Sequence, residues 1–352
     1  MHQELKKIYS DKSQIYECLP FKKVYIVSSP STVELLCRPE IVGYKIAINI
    51  ESALCSVISY MKTMHKVENV NVINILRGAL NFPFESALYH ENVNIEGVSF
   101  LSSKRIFINR SVVDISSQYI KVAIVDSSTL MIGDIIASGK TIKYAFYNVI
   151  DYYVKHSISI KRVIVFTIGT ENAIGVIKEL EKEMKEIWSE FEGIYTFFSE
   201  GIFTTYPDNG AAGLNDKGVD FSLRNAIISP YYRNELWCRP STVFEKCVIY
   251  DGGMRRFECK MHLVSLAEYW EKLKTIAKTI NINSILEDKI VTTKYNTFTE
   301  WCENNGFSQI DADLSSMYFK EQEYLEKVNE MNLFEIASIR LNELYNLLNC
   351  YD

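Results

Sequence analysis

The sequence is short of several residue types that mark specialised proteins, and each shortage closes off a class. Histidine occurs only five times in 352 residues, as His2, His65, His90, His156 and His262, each in a separate predicted element. No Ser or Cys accompanies them in a pattern suited to nucleophilic catalysis, so surface or core roles are expected for all five. Cysteine occurs eight times and never as Cys-x-x-Cys, which argues against a zinc centre. These scattered thiols are expected to be reduced and set in apolar surroundings. No apolar run approaches the roughly 18 to 20 residues of a membrane-spanning helix. A basic excess is also missing: 38 Lys and Arg against 44 Asp and Glu leave a net charge of −6. General affinity for nucleic acid needs the opposite balance, so any bound anion must be held by a local site. The opening residues Met1 to Lys7 lead into Asp11, Lys12 and Ser13 without the apolar core of a signal peptide. The expected location is cytoplasmic.

What remains is an ordinary globular composition, 47% hydrophobic and 23% charged, enough to bury a full core in one elaborated domain or two. Residues 22–27 read as a strand and 41–64 as a helix mildly interrupted by Gly43. From about 70 to 206 the texture alternates. Strands are predicted over 71–76, 121–125, 130–132, 162–168 and 193–203, and helices over 84–89, 141–156 and 172–188. Strand and helix alternating at this spacing predict a mostly parallel sheet flanked by helices. After about 222 the alternation stops. Ser229-Pro230-Tyr231-Tyr232-Arg233 reads as a linker, because proline disfavours both helix and central strand. Residues 247–259 read as a β-hairpin turning at Asp251-Gly252-Gly253, with Arg255 and Arg256 as exposed charges; arginines that line a site are the alternative reading. Helical periodicity follows over 266–280 and 314–348. The expected organisation is an α/β domain over 1–222 and a hairpin plus helical C-terminal region over 223–352.

The most informative segment is Leu130-Met131-Ile132-Gly133-Asp134-Ile135-Ile136-Ala137-Ser138-Gly139-Lys140-Thr141: an apolar strand, a carboxylate, a small-residue loop, then a helix. Backbone N–H groups at a helix N-terminus, joined by the Ser138 and Thr141 hydroxyls, can surround a phosphate, and Gly139 lets the backbone approach closely. Each hydrogen bond to a charged group contributes about 1.5 to 3 kcal/mol, so several converging donors offset the chain's negative charge. Asp134 is placed to accept from vicinal sugar hydroxyls. One loop would grip both ends of a ribose 5-phosphate. A Walker A loop is the competing reading, but five residues rather than four separate Gly133 from Gly139, and Ile135-Ile136 are bulky where a phosphate-wrapping loop needs small residues.

Residues 133–141 resemble the phosphoribosyl pyrophosphate (PRPP) signature of type I phosphoribosyltransferases. The resemblance implies that Ala137, Ser138, Gly139, Lys140 and Thr141 bind the 5-phosphate and Asp134 the ribose hydroxyls, which also ligate Mg²⁺ in the bound PRPP. It departs at Gly133, where a first acidic residue is expected, implying a weaker hold on the ribose. Ala137 stands where the 6-oxopurine enzymes carry an Asp general base, which points away from that branch. Leu76-Arg77-Gly78, ending a strand about 55 residues earlier, resembles the pyrophosphate loop of uracil phosphoribosyltransferases. Lys104 and Arg105 fall where the family has a mobile hairpin closing over pyrophosphate. Asn215, Asp216 and Gly218 resemble part of a base-binding stretch, although Val219-Asp220-Phe221-Ser222 replaces the sequence expected next. The activity implied is transfer of ribose 5-phosphate from Mg²⁺·PRPP to a small nitrogen-heterocycle acceptor, with Asp134 and Arg77 as the principal residues and a homodimer as the usual state of the fold. The alternative class is a PRPP-binding regulator that keeps the pocket without catalysis. A structural or interaction role is open for the helical C-terminal third.

Overall fold

The computed structural model describes residues 4–351 apart from 79, 109–110, 208–209, 211–212, 219, 247–251, 291–293, 309 and 311–313, and gives only the backbone of 103–108, 111–115 and 117. Its centre is set by runs of β-branched and aromatic residues: β4 (Val70–Leu76), β7 (Ser128–Ile136), β8 (Ile160–Thr170) and β9 (Gly193–Thr205), buried along nearly their whole length. Strands buried on both faces need helices on both faces, the arrangement of a parallel sheet. With β1 (Glu4–Ser10), β2 (Gln14–Leu19), β3 (Val24–Ser28), β5 (Ile95–Ile108) and β6 (Ser111–Lys121), the order is β1-β2-β3-β9-β8-β7-β4-β5-β6, and β10 (Phe221–Ile228) pairs with β9. Pairing is parallel from β3 to β5 and antiparallel for β1–β2, β2–β3, β5–β6 and β9–β10.

One face carries α1 (Pro30–Cys37), α2 (Tyr44–Met64) and α3 (Pro83–His90), whose Ile50, Leu54, Ile58 and Phe84 are fully buried. The other carries α4 (Lys140–Lys155) and α5 (Glu171–Ile187) through Ile142, Phe146, Val149, Leu180 and Met184. The C-terminal region is helical: α6 (Pro230–Leu236), α7 (Gly252–Phe257), α8 (Cys259–Ile276), α9 (Ile282–Lys289), α10 (Phe298–Asn304), α11 (Ser315–Lys327) and α12 (Leu333–Leu348). Leu266, Trp270, Ala337 and Leu344 extend the same hydrophobic cluster as α2 and α3. Among the described residues no helix is long and apolar enough to cross a membrane.

The alternating α/β pattern and the helical C-terminal part stand as expected, with informative differences. The strand expected at 130–132 runs to Ile136, so Gly133 and Asp134 lie inside β7. Of the strand expected at 121–125, only Lys121 belongs to one, closing β6. The sheet continues across position 222 in β10. Ser229-Pro230 starts helix α6 instead of a linker: the Ser229 hydroxyl accepts from the Tyr232 N–H, and proline at the first helical turn has no N–H to waste. The expected hairpin is replaced by a helix over its second half, and its first strand and turn residue Asp251 lie outside the described residues. Arg255 is the reason. It is 4% exposed, and its guanidinium donates to the carbonyls of Ile41 (2.7 Å), Leu35 (2.8 Å) and Arg38 (2.8 Å), contacts a solvent-facing turn cannot make. Burial pulls its pKa down to about 10.

Where α1, α6 and β9 meet, the Glu200 side chain is completely buried and accepts from the Ser29 N–H (3.0 Å) and from the Thr32 and Ser229 hydroxyls. Burial outweighs these donors and raises its carboxyl pKa to about 7. The folded chain thus keeps a proton that the unfolded chain releases near 4.3, so the stabilisation is full at low pH and is lost as pH rises through about 7. Urea unfolding of the wild type should lose roughly 2 to 3 kcal/mol from this group between about pH 5 and about pH 8, and Glu200→Gln should remove that part of the slope. Parallel curves for the two proteins would refute the assignment.

Candidate functional site

Strand order places the site before any side chain is considered. From β4 the chain proceeds through α3 to β5 on one side, whereas from β7 it proceeds through α4 to β8 on the other. The winding direction therefore reverses between β4 and β7, and in open α/β sheets the crevice at the carboxyl ends of such a strand pair is where ligands bind. The loops on its two sides are Leu76-Arg77-Gly78 and Ala137-Ser138-Gly139, the segments singled out from sequence.

A close backbone contact joins them. The β4–β7 ladder ends at Ile73 opposite Ile132. At the next residue, Gly133, a Cβ would lie 2.4 Å from the Leu80 carbonyl oxygen and 2.8 Å from the Asn81 nitrogen. The chain leaving the Arg77 loop is thus laid directly on β7, at a spot that admits no side chain. Glycine at 133 has a steric cause: a side chain there would push the two loops apart. Beside it the Asn81 side chain is fully buried, with no hydrogen-bond partner for its amide among the described residues. The Arg77 loop is tightened by the Gly78 N–H donating to the Ile75 carbonyl (2.7 Å), and the Leu76–Arg77 peptide is cis.

On the other side, Asp134 is half-buried on β7 and in register with Thr167 of β8. The loop that follows is clamped at its base, where the Ala137 carbonyl accepts from the Thr170 hydroxyl (2.6 Å) and from the Asn172 amide (3.4 Å). Gly139 caps α4 at φ 74, a left-handed conformation suited to glycine, with Val176 packed where a Cβ would go. No side-chain hydrogen bond caps the helix start at Gly139, and its first turn holds no acidic residue. Ser138 and Lys140 are exposed and Thr141 is half-buried.

The remaining predicted residues divide. Arg77 is exposed, and its guanidinium forms an ion pair with Glu258, the residue capping α8. That partner, 181 positions away, left no sequence signal. Lys104 and Arg105 lie within β5, where backbone pairing with Ser116 and Ile115 builds a ribbon past the last β4 pairing, Leu76 with Ser102. Their side chains lie outside the described residues. Asn215 is buried and its amide oxygen accepts from Lys289 (3.3 Å), whose ammonium also donates to the Glu245 carbonyl (2.9 Å). The turn holding Asp216 and Gly218 is closed by Asp220 through the Asp216 N–H (2.9 Å) and by the Gly218 N–H on the Tyr206 carbonyl (2.9 Å). Burial raises the Asp220 carboxyl to about 6. A cavity of about 60 Å³ borders Tyr206, Phe221 and Lys289, space for water rather than for a heterocycle. A larger concavity of about 490 Å³ opens beyond β3 between Lys12, Ser29, Tyr231 and Glu235, away from both loops.

No family model matches the chain, and no curated protein matches it in sequence. Among solved structures it is similar to a protein from Aquifex aeolicus at 16% identity and TM-score 0.34, over 48% of this chain and 80% of that one. It is similar to a hypoxanthine phosphoribosyltransferase from Staphylococcus aureus at 12% identity and TM-score 0.28, over 45% of this chain and 76% of the other. The Trypanosoma cruzi hypoxanthine phosphoribosyltransferase complexed with the product IMP overlaps at 14% identity and TM-score 0.27, over 46% and 77% respectively. Overlaps this slight carry no weight for activity.

The Gly133 contact has a counter-intuitive consequence. Gly133→Asp, which restores the acidic pair of the signature, should lower the urea midpoint by an amount equal to about 1 to 3 kcal/mol at unchanged slope, because it drives a side chain into the Leu80 backbone. A variant as stable as the wild type would show that the loops are not held by this contact.

Proposed function

We propose that the crevice between β4 and β7 binds Mg²⁺·PRPP and that the protein is a PRPP-dependent phosphoribosyltransferase acting on a nitrogen-heterocycle acceptor. The observation that carries this reading is that the two sequence-flagged loops face each other across the strand pair where the winding reverses, locked together at Gly133.

In this reading the 5-phosphate sits on the N–H groups at the start of α4 and on the Ser138 and Thr141 hydroxyls, where the helix dipole favours an anion. Asp134 accepts from the ribose hydroxyls. Pyrophosphate lies toward Arg77 and the Gly78 backbone. In this reading magnesium arrives with the substrate, and Asp134 would support the substrate oxygens that hold it. As the C1–O bond to pyrophosphate breaks, the ribose ring takes on oxocarbenium character, charge builds on the leaving group beside Arg77, and the heterocycle nitrogen attacks C1, its proton passing to the departing pyrophosphate. With Ala137 in the loop and its carbonyl engaged by Thr170, no general base stands there. Rate enhancement then comes from orientation and from stabilising the departing charge.

One observation favours a second reading, a PRPP-binding regulator. Asn215 is buried and its amide oxygen is already engaged by Lys289.

Calorimetric titration with Mg²⁺·PRPP should show binding by the wild type and a loss of at least about tenfold in Asp134→Ala, the equivalent of removing one hydrogen bond to a charged or polar ligand group. Unchanged affinity in that variant would refute the site. Pyrophosphate release on adding a panel of bases supports the enzyme; PRPP binding with no release from any base supports the regulator.

A further inference from the structure

We infer that Arg256, supplied by the C-terminal helical region, is a second pyrophosphate-binding cation of the β4–β7 crevice, and that Glu258 holds the pyrophosphate's place on Arg77. This rests on the PRPP reading above and adds a residue from outside the α/β sheet.

Three consecutive residues reach around the segment that follows β4. Glu258 pairs with Arg77. The Phe257 ring meets Phe82 edge-on, with centroids 5.7 Å apart. The Arg256 guanidinium lies 5.0 Å from the Phe82 ring centre, 5.5 Å from that of Phe257 and 5.8 Å from that of Tyr44. Arg256 is therefore seated beside the segment that follows the Arg77 loop, with three aromatic rings around its guanidinium.

Its donors are unsatisfied. Nε and Nη1 are buried and have no hydrogen-bond partner among the described residues. Aromatic faces attract a guanidinium but do not accept its in-plane N–H bonds, and a buried charged donor without an acceptor is costly. Burial accordingly pulls the Arg256 pKa down. The neighbouring arginine shows what the fold does when an arginine is structural: Arg255 is saturated by three carbonyls. Arg256 is oriented and left open.

The Glu258 carboxylate on Arg77 shows that this guanidinium pairs with an oxyanion, and two oxygens of a tetrahedral phosphate can take the same guanidinium with more charge. Pyrophosphate, multiply charged, would bridge Arg77 and Arg256 and displace Glu258.

The test is isothermal titration of the full-length protein with inorganic pyrophosphate and Mg²⁺, alongside urea unfolding. Arg256→Ala should weaken binding at least about tenfold, and Arg256→Lys should recover only part of it, since lysine cannot supply a stacked planar fork. Glu258→Gln should bind more tightly than the wild type, by about threefold or more, because a competing carboxylate is gone. Wild-type affinity in both Arg256 variants, or weaker binding in Glu258→Gln, overturns the inference while the PRPP site stands. A wild type that binds neither pyrophosphate nor PRPP overturns both. If Arg256→Ala unfolds, the Arg256→Lys comparison decides.

Discussion

Everything proposed for this protein depends on a single backbone contact, the packing of Leu80 and Asn81 on Gly133. A parallel ladder carries β4 and β7 side by side only as far as Ile73 and Ile132. Beyond that point two strands whose connections leave in opposite directions would ordinarily splay. Here the returning chain fills the gap, and the loop after β4 is fixed relative to the helix start after β7. A β-carbon 2.4 Å from a carbonyl oxygen is not tolerated, so the position is confined to glycine. Asp134 follows one residue later on β7, half-buried.

The second constraint is the docking of the helical C-terminal region. Its apolar residues continue the core of α2 and α3, Arg340 ties it to the α/β part through Glu40, and Arg233 ties its own helices together. Arg340 reaches Glu40 (2.6 Å), Glu245 (2.5 Å) and Glu343 (2.7 Å), and Arg233 makes a two-pronged pair with Glu321 (2.7 and 2.6 Å), which also accepts from the Trp301 indole (3.0 Å). Buried pairs of this kind add little net stability over apolar packing, but removing one partner strands a charge, so they enforce one arrangement. That arrangement brings Arg256, Phe257 and Glu258 to the Arg77 loop.

The parts legible from sequence were those governed by local pattern. Strands β4, β7, β8 and β9 are buried on both faces, and so read as continuous apolar runs; α4 and α5 carry one apolar stripe each. β1 and β2 were not legible, since Glu4-Leu5-Lys6-Lys7 looks solvent-facing until its pairing is known. The start of α6 carried a readable signal, serine before proline, that was read as a break. At 251–257 the Asp-Gly-Gly turn signal lost to three carbonyl acceptors far away in sequence. The strand-to-helix transition over 133–141 is contiguous in sequence, whereas the reason for Gly133, the partner of Arg77 and the seat of Arg256 each depend on residues distant along the chain.

The most direct test of the account is a crystal structure of the protein grown with Mg²⁺·PRPP. The account predicts the 5-phosphate against the backbone N–H groups at the start of α4, the ribose hydroxyls on Asp134 and the pyrophosphate between Arg77 and Arg256. PRPP bound instead in the concavity lined by Lys12, Ser29 and Tyr231 would contradict it.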